Sequence, residues 1–504
     1  MNTIAKAASP AAASSYHRPR EPLQAGLFVN GAHVAAQAGA TFARLDPTTN
    51  LVASVAAGGR AADAEQMVAV AAAGFGAWSG LSGKARAAVL RRAKALLPDY
   101  ADRFAQSMLC EIGASADWVG FNLRVAADML EATADLAERY DTQAAPQNSA
   151  SQAVRGPAGL CLAIAPWNAP AALGMRAIAF PLAFGNAVIF KASELCPVTH
   201  VLLGEVLTEA GVPPGALSIL TNAPEHSEEV VETLIAHPAV RRVNFTGSTR
   251  VGRIVAGIAA RHLKRCLLEL GGKSPFIVLE DADLDQAVEA ALLGAYMNAG
   301  QICMATDRII VDHQIADRFV AKLALRAKAL VAGDPLVAGV QIGPLATPSI
   351  AARLSALIED ALSKGAQLRA GGPARGQFMA ATIVDFVSPM MRIYSEECFG
   401  PLVGIYRVGS REEAVTVAND CEYGLSSAVF SRDLTGARAL ADQLETGICH
   451  INSATVADIA SMPFGGMKSS GYGRFGGDAC ADEFTELRWI TTTPAKGHQQ
   501  GETR

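Results

Sequence analysis

The sequence predicts an α/β protein built on two sheets, and three observations carry that expectation. After Ser151, short apolar runs alternate with amphipathic segments in the order strand, helix, strand. A second series of the same kind begins after Gly271. The chain has 504 residues, more than one compact core usually organises. Two parallel sheets imply two lobes with a cleft between them.

The elements follow in order. The opening MNTIAKAASPAAASSYHRPR contains no acid and several Ala and Ser. That composition hints at an organelle transit peptide but fits a disordered tail better, and residues 1–24 are expected to be such a tail. From Ala61 to Tyr140 the pattern is helical: Val68, Ala72, Phe75 and Trp78 recur at three- and four-residue spacing, and KARAAVLRRAKALL and FNLRVAADMLEATADLAERY continue it. Pro98 should interrupt that region. The first sheet is then drawn from GLCLAIA, NAVIFK, ALSIL, VRRVNF and RCLLEL. The second takes PFIVLE, RIIVD, CFGPLVGIYRV, SSAVFS and GICHIN, with LDQAVEAALLGAYMNAG as a helix between the first two. QNSASQAVRGPAG and EFTELRWITTT are strand-like but belong to neither series, and PAKGHQQGETR reads as a solvated tail.

Composition narrows the function. Lys and Arg number 43 against 48 acids, a formal charge of −5, with no basic stripe for a phosphate backbone, so no nucleic-acid partner is expected. The nine cysteines are scattered, without a C-x-x-C pair or Cys/His ligand spacing, which points to free thiols in a reducing cytoplasm and to no metal site. No apolar run reaches the length of a membrane span, so no membrane partner is expected either.

Five short stretches carry candidate chemistry. GQICMATDR places Cys303 on irregular chain just after a helix expected to end at Ala299–Gly300. A lone cysteine there is usually an inert core thiol, and only its company makes it a nucleophile. LLELGG ends an apolar strand at Glu269, where a carboxylate resists ionisation and suits a general base, although a structural strand-end Glu reads the same way. IAPWNAP puts Asn168 at the carboxyl edge of the sheet before a proline-started helix, as an oxyanion donor or as an ordinary turn residue. FTGSTRVG opens a helix with Thr246, Gly247 and Ser248, small enough for backbone N–H groups to approach a phosphate. It is not the G-x-G-x-x-G fingerprint. FKASE sets Lys191 and Glu194 just past a strand, suited to ribose hydroxyls or simply solvated.

In the order PWN, KASE, FTGS, ELGGK, GQ-I-C, followed by EECFGP and PFGGMKSSGYGR, these pieces resemble the aldehyde dehydrogenase superfamily from about Gly26 to Thr493. The resemblance implies a Rossmann-like coenzyme domain (25–143 and 159–270), an α/β catalytic domain (271–478) and a small β oligomerisation arm (144–158 and 479–495), in a homodimer or homotetramer. It makes Cys303 the nucleophile, Glu269 the general base and Asn168, with the Cys303 backbone N–H, the oxyanion donor. It assigns Lys191 and Glu194 to the adenosine ribose, Trp167 and Ser248 to the pyrophosphate, and Glu397 with Phe399 to the nicotinamide riboside. The implied reaction is NAD-dependent oxidation of an aldehyde through a cysteine thiohemiacetal and thioester, with no metal and with NADP a weaker coenzyme. A Cys-dependent esterase or hydrolase on the same site, and a noncatalytic scaffold, are the alternatives.

Within that superfamily, VRRVNFTGSTRVGRIVA, HLKRCLLELGGKSP, EECFGP, GICHIN and DEFTELRW resemble the vanillin and salicylaldehyde dehydrogenases. The implied substrate is an aromatic aldehyde, a non-aromatic one being the alternative. Its ring would meet Met297, Ile302 and Phe464. Arg176 shares a helical face with Leu173 and either meets a polar ring substituent or is tied to a carboxylate or carbonyl of the scaffold. INSATVADIASMPFGG departs from the more polar segment expected before PFGG.

Overall fold

The structure, a computed structural model, describes residues 16–141 and 151–493. In the first sheet, Arg265–Glu269, Val240–Thr246, Leu160–Ile164, Ala187–Lys191 and Leu217–Leu220 lie parallel in that spatial order. The last three are buried along their whole length, as continuous apolar runs covered by helices on both faces should be. The chain moves outward from Leu160–Ile164 to Leu217–Leu220, then returns on the other side at Val240–Thr246. A topological switch point therefore lies between Leu160–Ile164 and Val240–Thr246.

The second sheet places Gln367–Ala370, Thr382–Asp385, Leu402–Val408, Thr306–Asp312, Ser274–Val278, Ser426–Phe430 and Ile448–Ile451 side by side. Only Gln367–Ala370 runs antiparallel to its neighbour. All five apolar runs assigned to each sheet form strands there. One strand crosses the expected boundary between lobes: Gly471–Tyr472, inside the segment given to the catalytic domain, pairs with Leu268 and Glu269 of the first sheet.

The helical region is three helices, Ala61–Ser79, Gly83–Ile112 and Ala116–Arg139. Ser82 and Ser115 start the second and third by accepting the N–H groups of Ala85 and Trp118. Pro98 does not interrupt the second helix, contrary to expectation. It lies on the exposed face, so its ring meets solvent, while the opposite face is held by packing against Ala116–Arg139.

The N-terminal tail needs a correction. Residues 1–15 lie outside the described residues, but 16–24 are not free: the Tyr16 hydroxyl donates to the Ala114 carbonyl, and Arg18 bonds Asp46 at 2.5 Å and Asp334 at 2.9 Å. The two strands without a sheet pair with each other, Ser151–Pro157 antiparallel to Thr485–Thr491, leaving Leu487 and Trp489 exposed. Of the expected arm, 144–150 and 494–495 lie outside the described residues, and Ala481–Phe484 is a helical turn rather than strand. No helix among the described residues is long and apolar enough to cross a membrane.

Candidate active site

The first sheet delivers Asn168 through its backbone. Pro170 opens the helix Pro170–Ala183, and just before it the Asn168 carbonyl accepts Trp118 Nε1–H at 2.8 Å and Asn298 Nδ2–H at 3.1 Å. The Asn168 side-chain amide donates one hydrogen to the Gln301 carbonyl at 3.0 Å. An amide NH2 has a second hydrogen to give.

Cys303 comes from the second lobe. The α-helix Leu284–Tyr296 stops three residues earlier than the sequence suggested, because Asn298, Ala299 and Gly300 all take positive φ (49°, 55° and 67°). Three consecutive left-handed residues, one of them Ala, need to be held from outside. Gln301 does so: buried, it donates through Nε2 to the Asn298 and Pro344 carbonyls and accepts the Ala346 N–H at 2.9 Å. Cys303 then sits half-buried in a turn closed by the Ala305 N–H to the Ile302 carbonyl. Gly272 permits this approach, since a Cβ there would lie 2.3 Å from the Cys303 carbonyl oxygen.

Glu269 ends its strand facing the thiol, buried, with neither carboxylate oxygen met by an N–H or O–H donor among the described residues. Burial pushes its pKa up to about 7, with the Arg176 charge and the Cys303 thiol opposing the rise. Burial, and then the charge of Glu269, hold the Cys303 thiol well above its usual range. A thiol in these surroundings suits a base that takes its proton as the sulfur reacts.

A cleft of about 530 Å3 links Cys303, Glu269 and Asn168 to Trp167, Ser248, Glu397 and Phe399. A groove of about 580 Å3 continues from Trp167 and Ser248 to Lys191 and Glu194. Ser248 caps the helix Thr249–Arg261 by accepting the Val251 N–H, and that helix start opens onto the groove at the switch point. Lys191 is ion-paired to Glu194, which also accepts from Ser227 and Asn222. Burial would raise Glu194, but the Lys191 charge and hydrogen bond and the Ser227 hydroxyl hold it below the usual carboxylate range. The Glu397 carboxylate accepts the Gly272 N–H at 2.9 Å, Arg353 grips the backbone carbonyls of Glu397 and Cys398 at 2.6 Å, and Phe399 meets Trp167 edge to face at 5.9 Å.

On the other side of Cys303 and Asn168 lies a narrow cavity of about 20 Å3, walled by Trp118, Phe121, Leu173, Arg176, Ile302 and Phe464 among others. Of the four candidate ring contacts, Arg176, Ile302 and Phe464 line it, whereas Met297 lines neither this cavity nor the cleft and packs against the core. Arg176 is ion-paired to Asp458, so the scaffold reading of this residue holds at least in part. Sequence reasoning missed Trp118, Gln301, Arg353 and Asp458. The first three act through backbone carbonyls, which leave no side-chain motif. Asp458 had one signal, a lone acid in the segment already noted as unusual.

Comparison with known proteins agrees with this geometry. The model of the aldehyde dehydrogenase family matches residues 33–490. Vanillin dehydrogenase of Pseudomonas fluorescens is 48% identical over 479 residues, 94% of this chain and 99% of that protein. The crystal structure of a salicylaldehyde dehydrogenase from Pseudomonas putida G7 complexed with salicylaldehyde superposes with a TM-score of 0.91 at 43% identity, covering 95% of this chain and 100% of that one. An NADP+ succinate-semialdehyde dehydrogenase of Deinococcus radiodurans is 40% identical over 82% of this chain and 86% of its own length, so likeness on this scale spans different substrates. With the thiol, the buried carboxylate and the amide brought together from two lobes at the end of a long groove, the chain belongs to the aldehyde dehydrogenase family and is an oxidoreductase.

Proposed function

We propose that the protein oxidises an aromatic aldehyde of the benzaldehyde, vanillin or salicylaldehyde type to its carboxylic acid, with NAD as the preferred coenzyme. The observation that supports it is the position of Cys303, between a groove suited to a dinucleotide and a cavity walled by aromatic rings and one guanidinium. The groove fits a dinucleotide because a helix start can face the pyrophosphate while the Lys191–Glu194 pair meets a ribose. A carboxylate there accepts from a 2′-hydroxyl and repels a 2′-phosphate, which favours NAD over NADP.

A bound nicotinamide supplies the hydride acceptor. Cys303 Sγ adds to the aldehyde carbon while Glu269 takes the thiol proton. The oxyanion is held by Asn168 Nδ2–H and the Cys303 N–H, such donors being worth about 3 kcal/mol each. Loss of hydride from that carbon leaves a thioester on Cys303. Glu269, its proton released, then deprotonates a water that attacks the thioester, freeing the acid and restoring the thiol. Cysteine, base and amide would equally cleave an ester, but such a reaction has no use for the groove.

The narrow cavity has room for about one water, so a ring enters by rotating side chains such as Leu173 aside. Ile302 and Phe464 would grip it, with Arg176 donating to a ring oxygen. A panel of aldehydes followed by NADH formation tests the reading. Benzaldehydes are expected to exceed acetaldehyde in kcat/KM, and the reverse order would overturn the aromatic assignment. Exposed Leu487 and Trp489 on the Ser151–Pro157/Thr485–Thr491 ribbon support assembly as a homodimer or homotetramer, which light scattering checks. A cytoplasmic setting follows from nine cysteines without an expected disulfide.

A further inference from the structure

Arg176 and Asp458 lie 282 residues apart and meet beside the nucleophile, both buried. Their pairing is incomplete. A guanidinium and a carboxylate can join through two parallel bonds, but here Nη2 alone donates to Asp458 Oδ2. Arg176 Nη1 and Asp458 Oδ1 are both buried without a hydrogen-bond partner among the described residues. The guanidinium cannot readily turn to complete the fork, because the Phe464 ring covers it at 4.0 Å and Phe475 lies at 5.8 Å. A charged donor and a charged acceptor are thus held next to each other, unsatisfied, in the wall of the cavity that also contains Cys303. Leaving such groups unpaired is costly, so the site is set for a molecule that satisfies both.

We infer that Asp458 is a specificity-determining residue, and that with Arg176 it selects benzaldehydes carrying a free ring hydroxyl. This rests on the aromatic-aldehyde reading above and narrows it. A hydroxyl is the substituent that matches the pair, since its O–H donates to Asp458 Oδ1 while its oxygen accepts from Arg176 Nη1–H. A methoxy group can only accept, so it meets Arg176 and leaves Asp458 unpaired. A bare ring satisfies neither, and a ring carboxylate suits Arg176 but is repelled by Asp458. Sites built to hydrogen-bond a substrate hydroxyl reject analogues lacking it far better than apolar pockets reject a missing methylene. Because the pair is fixed relative to Cys303, the preference belongs to one ring position.

The test compares hydroxy-, methoxy- and fluoro-benzaldehydes substituted at each ring position, in the parent and in two variants. D458N keeps the shape but weakens the acceptor, and R176M/D458L removes both charges for apolar groups of similar size, a replacement buried ion pairs often tolerate. The parent is expected to favour hydroxy over methoxy by about tenfold or more in kcat/KM at one position, falling to within about twofold in the double variant, with D458N between. A second readout avoids turnover: in the C303A background, hydroxybenzamide should bind more tightly than methoxybenzamide, and R176M/D458L should erase the difference. Equal kcat/KM for hydroxy and methoxy at every position in the parent, or a ratio unchanged by the double variant, would leave Asp458 as a counter-ion only. If acetaldehyde outruns every benzaldehyde, the aromatic reading itself fails, a distinct result.

Discussion

The two sheets contribute to the site from opposite ends of their strands. In the first, the candidate residues on strands or their edges lie at or just beyond a carboxyl end: Asn168 after Leu160–Ile164, Lys191 and Glu194 at the end of Ala187–Lys191, Ser248 after Val240–Thr246, and Glu269 as the last residue of Arg265–Glu269. In the second, they lie before the amino ends: Gly272 ahead of Ser274–Val278, Cys303 ahead of Thr306–Asp312, Glu397 and Phe399 ahead of Leu402–Val408. The first sheet offers a general ligand-binding edge, with a switch point and a helix start. The second offers a reactive atom held by a strained and anchored loop. The coenzyme contacts proposed for Lys191, Glu194 and Ser248 are therefore separable by mutation from Cys303, while Asn168 and Glu269 reach the reacting bond from the first sheet.

The largest effect should come from C303A, which is expected to abolish oxidation, by at least about ten-thousandfold, while leaving NAD affinity within about threefold. Titration calorimetry with NAD checks this, and parallel loss of both would show that Cys303 is not separable from coenzyme binding. E269Q should keep the thiol and amide but lower kcat by about a hundred- to ten-thousandfold. In the parent, activity should rise as pH passes about 7 and Glu269 ionises, and that limb should vanish in the variant. The same residue links to stability. A carboxyl whose folded pKa is raised from 4.5 to about 7 favours the folded state below pH 4.5 and loses that advantage as pH climbs to about 7. E269Q should thus unfold about 2–3 kcal/mol harder than the parent at pH 8, relative to their difference at pH 4, in urea titrations at both pH values.

G272A comes next, since its Cβ would press on the Cys303 carbonyl and shift the nucleophile. A loss of about a hundredfold in kcat with NAD binding retained is expected from so small a misplacement. The smallest effect belongs to the first sheet: E194Q should raise KM for NAD about tenfold and narrow its advantage over NADP, with kcat within about threefold. Initial-rate kinetics with both coenzymes would show a change in kcat instead if Glu194 acted on the chemistry.

The same contrast explains what was legible. Strands such as LCLAI and AVIFK are buried apolar runs, and the groups at their carboxyl ends follow a rule about parallel sheets, so Asn168, Lys191 and Ser248 could be placed from pattern alone. No such rule covers the amino ends of the second sheet, and Cys303 stood out only through family resemblance. Short strands such as Leu27–Val29 and Ala32–Val34 carry too few residues to show a period. Pro98 was misjudged because its cost was weighed without the long packed face opposite. Arg176 was ambiguous for a different reason: its partner, Asp458, is remote in sequence, and nothing local distinguishes a guanidinium facing a substrate from one facing a carboxylate.

The strand Gly471–Tyr472, which closes the first sheet against Glu269, bears on the order in which the enzyme is made. Synthesis runs from the amino end, so Cys303 leaves the ribosome well before Asp458, Phe464 and Gly471 have been translated. The wall of the narrow cavity and the edge beside the base are completed only by that last stretch. A nascent chain thus carries Glu269 and Cys303 before the strand and side chains that enclose them exist, and the site is complete only when the carboxyl-terminal part packs against the first sheet.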